Sequence, residues 1–123
     1  MDRWEALYNF WASFGVPAYR ASAVPDLKYV TFPYITYEAA VGDIDDVLTL
    51  RGNVWDENYS SERVDAISDE ILQFIKTNPW HKYNGGQFRV WSGNTMPVQD
   101  MGDPDNDKIR RNVITLNFEF INL

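Results

Sequence analysis

The chain contains no cysteine, only one histidine and no long apolar run, and each of these absences excludes a class of function. Without cysteine there is no disulfide, no thiolate nucleophile and no thiolate metal site. The single histidine, His81, is not accompanied by a serine, cysteine or second-histidine motif that could complete a catalytic constellation. No apolar run approaches the roughly 20 residues that span a bilayer, so we expect no membrane segment.

Basic residues are also scarce, because 11 lysines and arginines stand against 18 aspartates and glutamates, giving a net charge of −7. This balance argues against a general nucleic-acid-binding protein, which needs a basic footprint. It does not exclude a protein through which DNA passes without being held. Residues 1–4 lack the basic flank and apolar stretch of a signal peptide, so we expect a soluble protein made inside a cell.

Aromatic residues, by contrast, are abundant, at 15% of the chain with five tryptophans. Tryptophan and tyrosine are favoured where a large area is buried while a polar edge is kept, both in cores and at subunit interfaces. A chain of 123 residues is long enough for one domain with an ordinary core. We therefore expect a single domain over residues 1–123.

Apolar residues spaced by three and four predict two amphipathic helices. The first runs from Asp2, which can cap it, to Phe14. The second runs from Glu62 to Lys76, with Ser60 or Ser61 as its cap. Both are followed by glycine or proline, which end helices.

Between and after the helices, the pattern predicts two hairpins. Residues Pro33–Glu38 and Asp46–Trp55 form the first around a turn at Gly42–Asp46, with Gly52 as a candidate β-bulge. The last third supplies a turn at Gly85–Gly86, a strand, and a final alternating strand over Val113–Ile121.

The element order α-β-β-α-β-β predicts an α+β fold. We expect a mainly antiparallel sheet of two hairpins, two helices on one of its faces, and a long loop between the last two strands.

This long loop, Ser92–Lys108, is the strongest candidate for a contact site, because unstructured loops of this length in compact domains are usually functional or disordered. It contains several aspartates and is followed by the only basic cluster of the chain. Within one subunit the opposite charges would pair weakly; between subunits of a ring, the aspartates of one could meet the arginines of the next. The predicted subunit-interface residues are Met96, Val98, Gln99, Asp100, Met101, Asp103, Asp105, Asp107, Arg110 and Arg111.

The aspartates of this loop also suggest a metal site. Asp103, Asp105 and Asp107 alternate like the first ligands of an EF-hand loop. The pattern then fails, because Lys108 stands where that loop needs glycine and Ile114 where it needs a bidentate glutamate. We therefore assign no metal, no cofactor and no catalytic residue, and we keep a small metal-dependent enzyme as a rival hypothesis.

A set of short motifs follows a recognisable order along most of the chain. In chain order they are Trp11-x-x-Phe14-Gly15-x-Pro17, Tyr34–Glu38, Gly85-Gly86, Phe88-x-Val90-Trp91, Gly93, Pro97, Gln99, Met101, Asp103, Ile109-Arg110-Arg111, Asn117 and Glu119. This order resembles that of the tail-completion, or tail-terminator, proteins of long-tailed bacteriophages. Asp100 departs from the pattern, since a basic residue is expected after Gln99.

The resemblance implies a non-enzymatic structural protein of the virion, made in the host cytoplasm and located at the head–tail junction. Such a subunit would form a hexameric ring that terminates the tail tube, joins it to the head connector and lets double-stranded DNA pass without specific binding. Its partners would be further copies of itself, the major tail tube protein and the head connector or stopper protein. The loop Met96–Asp107 and the pair Arg110–Arg111 would then be ring or tube contacts.

Three other hypotheses of function stay open at this point. The chain could be another connector ring, such as a stopper or adaptor, or a minor capsid protein. It could be the metal-dependent enzyme described above. A cellular ligand-binding module is the third, and a defined apolar pocket would favour it.

Overall fold

The structure is a computed structural model that describes residues 3–41, 46–93 and 97–122, and it has the predicted α+β architecture. The helices are α1 (Arg3–Trp11) and α2 (Glu62–Thr77). The strands are β1 (Ala18–Arg20), β2 (Tyr34–Tyr37), β3 (Val47–Glu57), β4 (Trp80–Tyr83), β5 (Gly86–Trp91), β6 (Val98–Asp100) and β7 (Ile109–Asn122). Neither α1 nor α2 is long and apolar enough to cross a membrane.

Both predicted helices are present, with small changes at their ends. Helix α1 continues into a 3-10 turn, Ala12–Phe14, and Gly15 closes it in the left-handed conformation that glycine accepts readily (φ 79°). The expected cap Asp2 lies outside the described residues. At the start of α2, Ser60 Oγ accepts a hydrogen bond from the Glu62 amide at 3.2 Å.

The strands form one sheet in the order β1-β2-β3-β7-β5-β4, and β6 also pairs with β7. The predicted pairing of β2 with β3 is confirmed as antiparallel, with Tyr34 opposite Trp55. Of the predicted turn at Gly42–Asp46, residues 42–45 lie outside the described residues. Strand β7 is the central strand of the sheet, because β3 pairs along one of its edges, over Ile109–Glu119, and β5 and β6 pair along the other.

The predicted four strands are present, but the prediction missed three others, β1, β4 and β6. Strand β1 pairs with β2 in parallel, so the mainly antiparallel sheet contains one parallel pair. Strand β4 forms a hairpin with β5 around Asn84–Gly85, whose glycine takes the φ of 103° that this tight turn needs. Strand β6 lies within the predicted long loop, so this loop contains a strand that was not expected.

Strands β5 and β6 follow the same edge of β7, one after the other. Trp91 pairs with Asn117, and Val98 pairs with Ile114. Along the chain, six residues lie between Trp91 and Val98, whereas only two lie between their partners on β7, Asn117 and Ile114. Strand β6 therefore continues β5 rather than starting a new layer.

Both helices pack on one face of the sheet, as predicted. Phe10 of α1 lies 5.6 Å from Phe118 of β7, and Asn112 of β7 donates a hydrogen bond to Ser68 Oγ of α2 at 3.0 Å. Because residues 112 and 118 of one strand share a face, the helices do too. Phe14 and Phe74 join the helices to each other, with ring centroids 5.3 Å apart.

Gly52 is not the predicted bulge. It pairs in regular register with Tyr37 on one side and Ile114 on the other. A Cβ atom at this position would lie 2.4 Å from Cη2 of Trp11, which is fully buried. The glycine therefore makes room for a tryptophan of α1 rather than bending the strand.

Candidate interaction surface

The sheet face opposite the helices is the most distinctive surface of the described chain. Alternation along the strands turns these side chains away from the helices, and none of them is fully buried. We call this surface the open face and define it by Arg51, Asn53, Trp55, Arg89, Trp91, Gln99, Arg111, Val113 and Thr115. Tryptophan and arginine, which recur here, are enriched at protein interfaces.

Trp55 is held in a fixed position on the open face. Its ring stacks on Tyr34, with centroids 6.4 Å apart and planes at 14°. Its Nε1–H donates a hydrogen bond to Thr36 Oγ1 at 2.9 Å. Burial, with a smaller contribution from Tyr19, raises the pKa of Tyr34 above its ordinary value, so this phenol stays uncharged at neutral pH.

Arg111 lies directly opposite Trp55 in the register of β7 and β3. Its guanidinium carbon is 5.1 Å from the Trp55 ring centroid, within the range of a cation–π contact. Its Nε–H donates to the carbonyl oxygen of Met101 at 3.3 Å. These two contacts fix the guanidinium plane, while its two terminal nitrogens have no partner among the described residues.

Arg110 points the other way and acts inside the subunit. Its Nε donates to the carbonyl oxygen of Asn58 at 3.1 Å, and its Nη2 donates to the carbonyl oxygen of Tyr59. It thereby ties the start of β7 to the segment between β3 and α2. The basic pair predicted as one contact is divided between the two faces of the sheet.

The other predicted interface residues are divided in the same way. Gln99 pairs with Val113 and lies on the open face, and Met101 lines a groove there. Val98 packs against the core, and Asp100 lies opposite the buried Asn112. Met96 lies outside the described residues. Sequence reasoning missed Trp55, although an aromatic residue at a polar-face position of an alternating strand was a usable signal.

The acidic segment, Asp103–Asp107, forms local turns on the surface. The Asp105 amide donates to Asp103 Oδ1 at 2.8 Å, and the Lys108 amide donates to Asn106 Oδ1 at 3.0 Å. Asp103, Asp105 and Asp107 are all exposed. Among the described residues, no aspartate of this segment forms an ion pair with Arg110 or Arg111, whereas Arg51 pairs with Glu38 and Arg63 with Asp56.

Three adjoining grooves cross this region, with volumes of about 210, 240 and 310 Å³. Trp55 lines the two smaller grooves and Arg111 the largest and one of the smaller. Asn53, Gln99 and Thr115 add polar groups to the largest groove. Such open, shallow grooves suit side chains of a protein partner better than an enclosed small-molecule ligand.

A second exposed aromatic patch lies where α1 meets β1. Trp4 and Tyr8 are 37% and 46% exposed and border a groove of about 470 Å³. The Arg20 guanidinium lies 4.9 Å from the Trp4 ring centroid. Burial raises the pKa of Tyr37 at the base of this groove, and a hydrogen bond with Arg20 opposes the rise.

His81 belongs to the core and not to either surface patch. Its ring stacks on Phe88 with centroids 5.0 Å apart, and burial lowers the pKa of the imidazole below 6.5, partly offset by a backbone hydrogen bond at Asn78. A cavity of about 190 Å³ adjoins it, lined mainly by aromatic rings. Over residues 3–41, 46–93 and 97–122, no three histidine or acidic side chains are grouped as a metal site.

Comparison with known proteins adds one finding about the fold. No protein-family model and no curated protein matches the chain. Among solved structures, that of the bacteriophage SPP1 gp17 protein is similar, with a TM-score of 0.51 and 15% sequence identity over 88% of this chain and 76% of that one. At this identity the similarity shows a common fold.

Proposed function

We propose that this chain is a structural protein of a phage particle that forms a ring at the head–tail junction. The observation that carries the proposal is the fold shared with a bacteriophage protein over 88% of the chain. The order of motifs along the sequence, which resembles that of phage tail-completion proteins, supports it independently. The proposal makes the chain a non-enzymatic component of the virion.

In this role the subunit forms a homomeric, hexameric ring that ends the tail tube and joins it to the head connector. The open face supports the assembly part of the proposal, because an uncovered sheet face with two Trp-stacked arginines has the composition of an interface core. The tail tube protein and the connector or stopper protein are the partners that this position requires. Double-stranded DNA passes through the ring without being specifically bound.

The test of this role is deletion of the gene from the phage that encodes it. We expect filled heads and unjoined tails to accumulate separately in the lysate, and a plasmid copy of the gene to restore joined, infectious particles. Negative-stain images of the lysate measure the outcome. Joined, infectious particles in the absence of the protein would refute the proposal.

The same images separate the related roles. Loss of a stopper or adaptor ring would leave the unjoined tails uniform in length, whereas loss of a tail-ending ring would leave tail tubes that vary in length. A minor capsid protein would change the heads instead. Antibody labelling of wild-type particles then gives the position directly.

A further inference from the structure

We propose that Arg111 is a carboxylate-binding site that receives an aspartate from the acidic segment of a second copy of this chain. The inference rests on the proposed ring-forming function and specifies one contact of that ring. It concerns the terminal nitrogens of the Arg111 guanidinium, the groove beside them, and the exposed carboxylates of Asp105 and Asp107.

The Arg111 side chain is preorganised for binding in the isolated subunit. The Trp55 ring supports its guanidinium and the Met101 carbonyl fixes its Nε. An arginine held in this way loses little conformational entropy when it forms a two-pronged bond with a carboxylate. Such a bond uses the two terminal nitrogens of the guanidinium, which have no partner among the described residues.

Arg89 also stacks on a tryptophan, Trp91, but three other arginines of the described chain are bound to oxygen atoms within the subunit. Arg51 is paired with Glu38, Arg63 with the fully buried Asp56, and Arg110 with two backbone carbonyls. Arg111 is half-buried, yet its terminal nitrogens lack such a partner in the part of the chain that the structure describes. In a chain with 18 acidic and 11 basic residues, this cation is positioned to receive an acid from outside the subunit.

The groove beside Arg111 fits the end of an acidic side chain. Gln99, Asn53 and Thr115 line it with amide and hydroxyl groups, and Met101 borders it with an exposed apolar side chain. The carboxylate of Glu38, which also lines it, is paired with Arg51. Carboxylate recognition by a guanidinium with neighbouring donors needs this combination of charge and polar groups.

The acidic segment supplies complementary charge. Asp105 and Asp107 are exposed and form no ion pair among the described residues, although Arg111 lies a few residues further along the same chain. The arginine and the aspartates are separate patches of one subunit, so a head-to-tail contact between copies satisfies both. Such contacts close into a ring when the rotation between copies permits.

The test uses two variants of the full chain, each lacking one half of the contact. Arg111→Gln removes the receptor and keeps the aspartates, whereas Asp105→Asn with Asp107→Asn removes the acids and keeps the arginine. We expect each variant alone to self-associate at least about tenfold more weakly than the wild type in sedimentation experiments. Mixed in equal amounts, the two should form pairs of one copy of each and nothing larger, because only one intact contact is available.

Lys108→Gln is the matched control, because it removes one positive charge from the same basic cluster without touching the groove. It should associate like the wild type. Arg111→Lys keeps the charge and much of the packing on Trp55 but not the fork, so it should also be weakened; circular dichroism checks that every variant is folded.

For weak association the same mixture is followed by NMR. Isotope-labelled Asp105→Asn/Asp107→Asn protein is titrated with unlabelled Arg111→Gln protein to millimolar concentration. We expect the side-chain signals of Arg111 and the Trp55 indole to shift. No shift, or wild-type association by the Arg111→Gln variant, would overturn the proposal, whatever the gene deletion shows about the role in the particle.

Discussion

At the scale of single residues, Gly52 decides how closely helix α1 can approach the sheet. The Trp11 ring occupies the space where a Cβ atom would stand, at 2.4 Å, and the ring also stacks on Tyr37 at 6.2 Å. We expect Gly52→Ala to lower the free energy of unfolding by about 1–3 kcal/mol, because overpacking displaces a buried tryptophan. Urea denaturation followed by tryptophan fluorescence measures the change.

Gly102→Ala is the control for this prediction. A Cβ atom there would be 3.7 Å from its nearest neighbour, the Ile109 carbonyl oxygen, which is ordinary contact. The expected change is within about 0.5 kcal/mol. Equal losses for the two variants would mean that the Trp11 contact is not what requires glycine at position 52.

His81 gives the chain a pH-dependent stability with a defined sign. Burial lowers its pKa in the folded state below the ordinary 6.5, so the unfolded chain binds more protons between the two values. The neutral imidazole thus favours folding fully above about pH 6.5, and this contribution is lost as the pH falls from there through the folded-state pKa. We expect the urea concentration at the unfolding midpoint to be lower at pH 5.5 than at pH 7.5.

The variant His81→Phe should lack this decline, because the chain has no other histidine to titrate in that window. A phenyl ring keeps the aromatic contacts with Phe10, Phe74 and Phe88. An identical pH dependence in both proteins would assign the effect to other groups.

At the scale of elements, β6 makes part of the segment between β5 and β7 a strand that is hydrogen-bonded to β7. The Met101 amide donates to the Arg111 carbonyl at 2.8 Å, and the Thr115 amide donates to the Pro97 carbonyl at 2.9 Å. We expect these two amides to exchange with solvent deuterium much more slowly than the Asp105 amide, whose acceptor is the neighbouring Asp103 side chain. Amide exchange followed by NMR measures this, and equally fast exchange at all three would exclude a paired β6.

The elements that sequence could predict were those with strong periodicity. The α2 stripe of Val64, Ile67, Ile71 and Ile75 is buried, and the alternation of β7 matches its burial. Strand β1 has three residues and no alternation, so only its pairing with β2 defines it. Strand β4 did have a signal, because Asn84-Gly85 between two β-prone runs is a strong hairpin pattern.

The candidate site was predicted only in part because the start of one strand was misplaced. The predicted final strand began at Val113, whereas β7 begins at Ile109. Neighbouring residues of a strand face opposite sides, so Arg110 and Arg111 separate once both belong to β7. The contact with Trp55 also depends on the register of β3 against β7, which no local sequence pattern contains.

At the scale of the whole molecule, the two sheet faces have different roles. The helix side holds the aromatic core, in which the single residue Phe10 packs against the rings of Trp11, Phe74 and Phe118. The open face keeps tryptophans and arginines at the surface, ordered by contacts within the sheet. A rigid core under an ordered, uncovered face gives a subunit that can associate with little rearrangement.

The net charge of the whole molecule predicts that it does not bind duplex DNA. With 18 acidic against 11 basic residues, and with Arg51, Arg63 and Arg110 bound within the subunit, the molecule has no excess of cations to replace the counterions of a duplex. We expect no binding of a fluorescein-labelled duplex, measured by anisotropy at physiological salt, by either the wild type or Arg111→Gln. Tight, salt-sensitive binding that Arg111→Gln abolishes would assign the arginine to phosphate rather than to a partner's carboxylate, because each phosphate contact adds to the salt dependence.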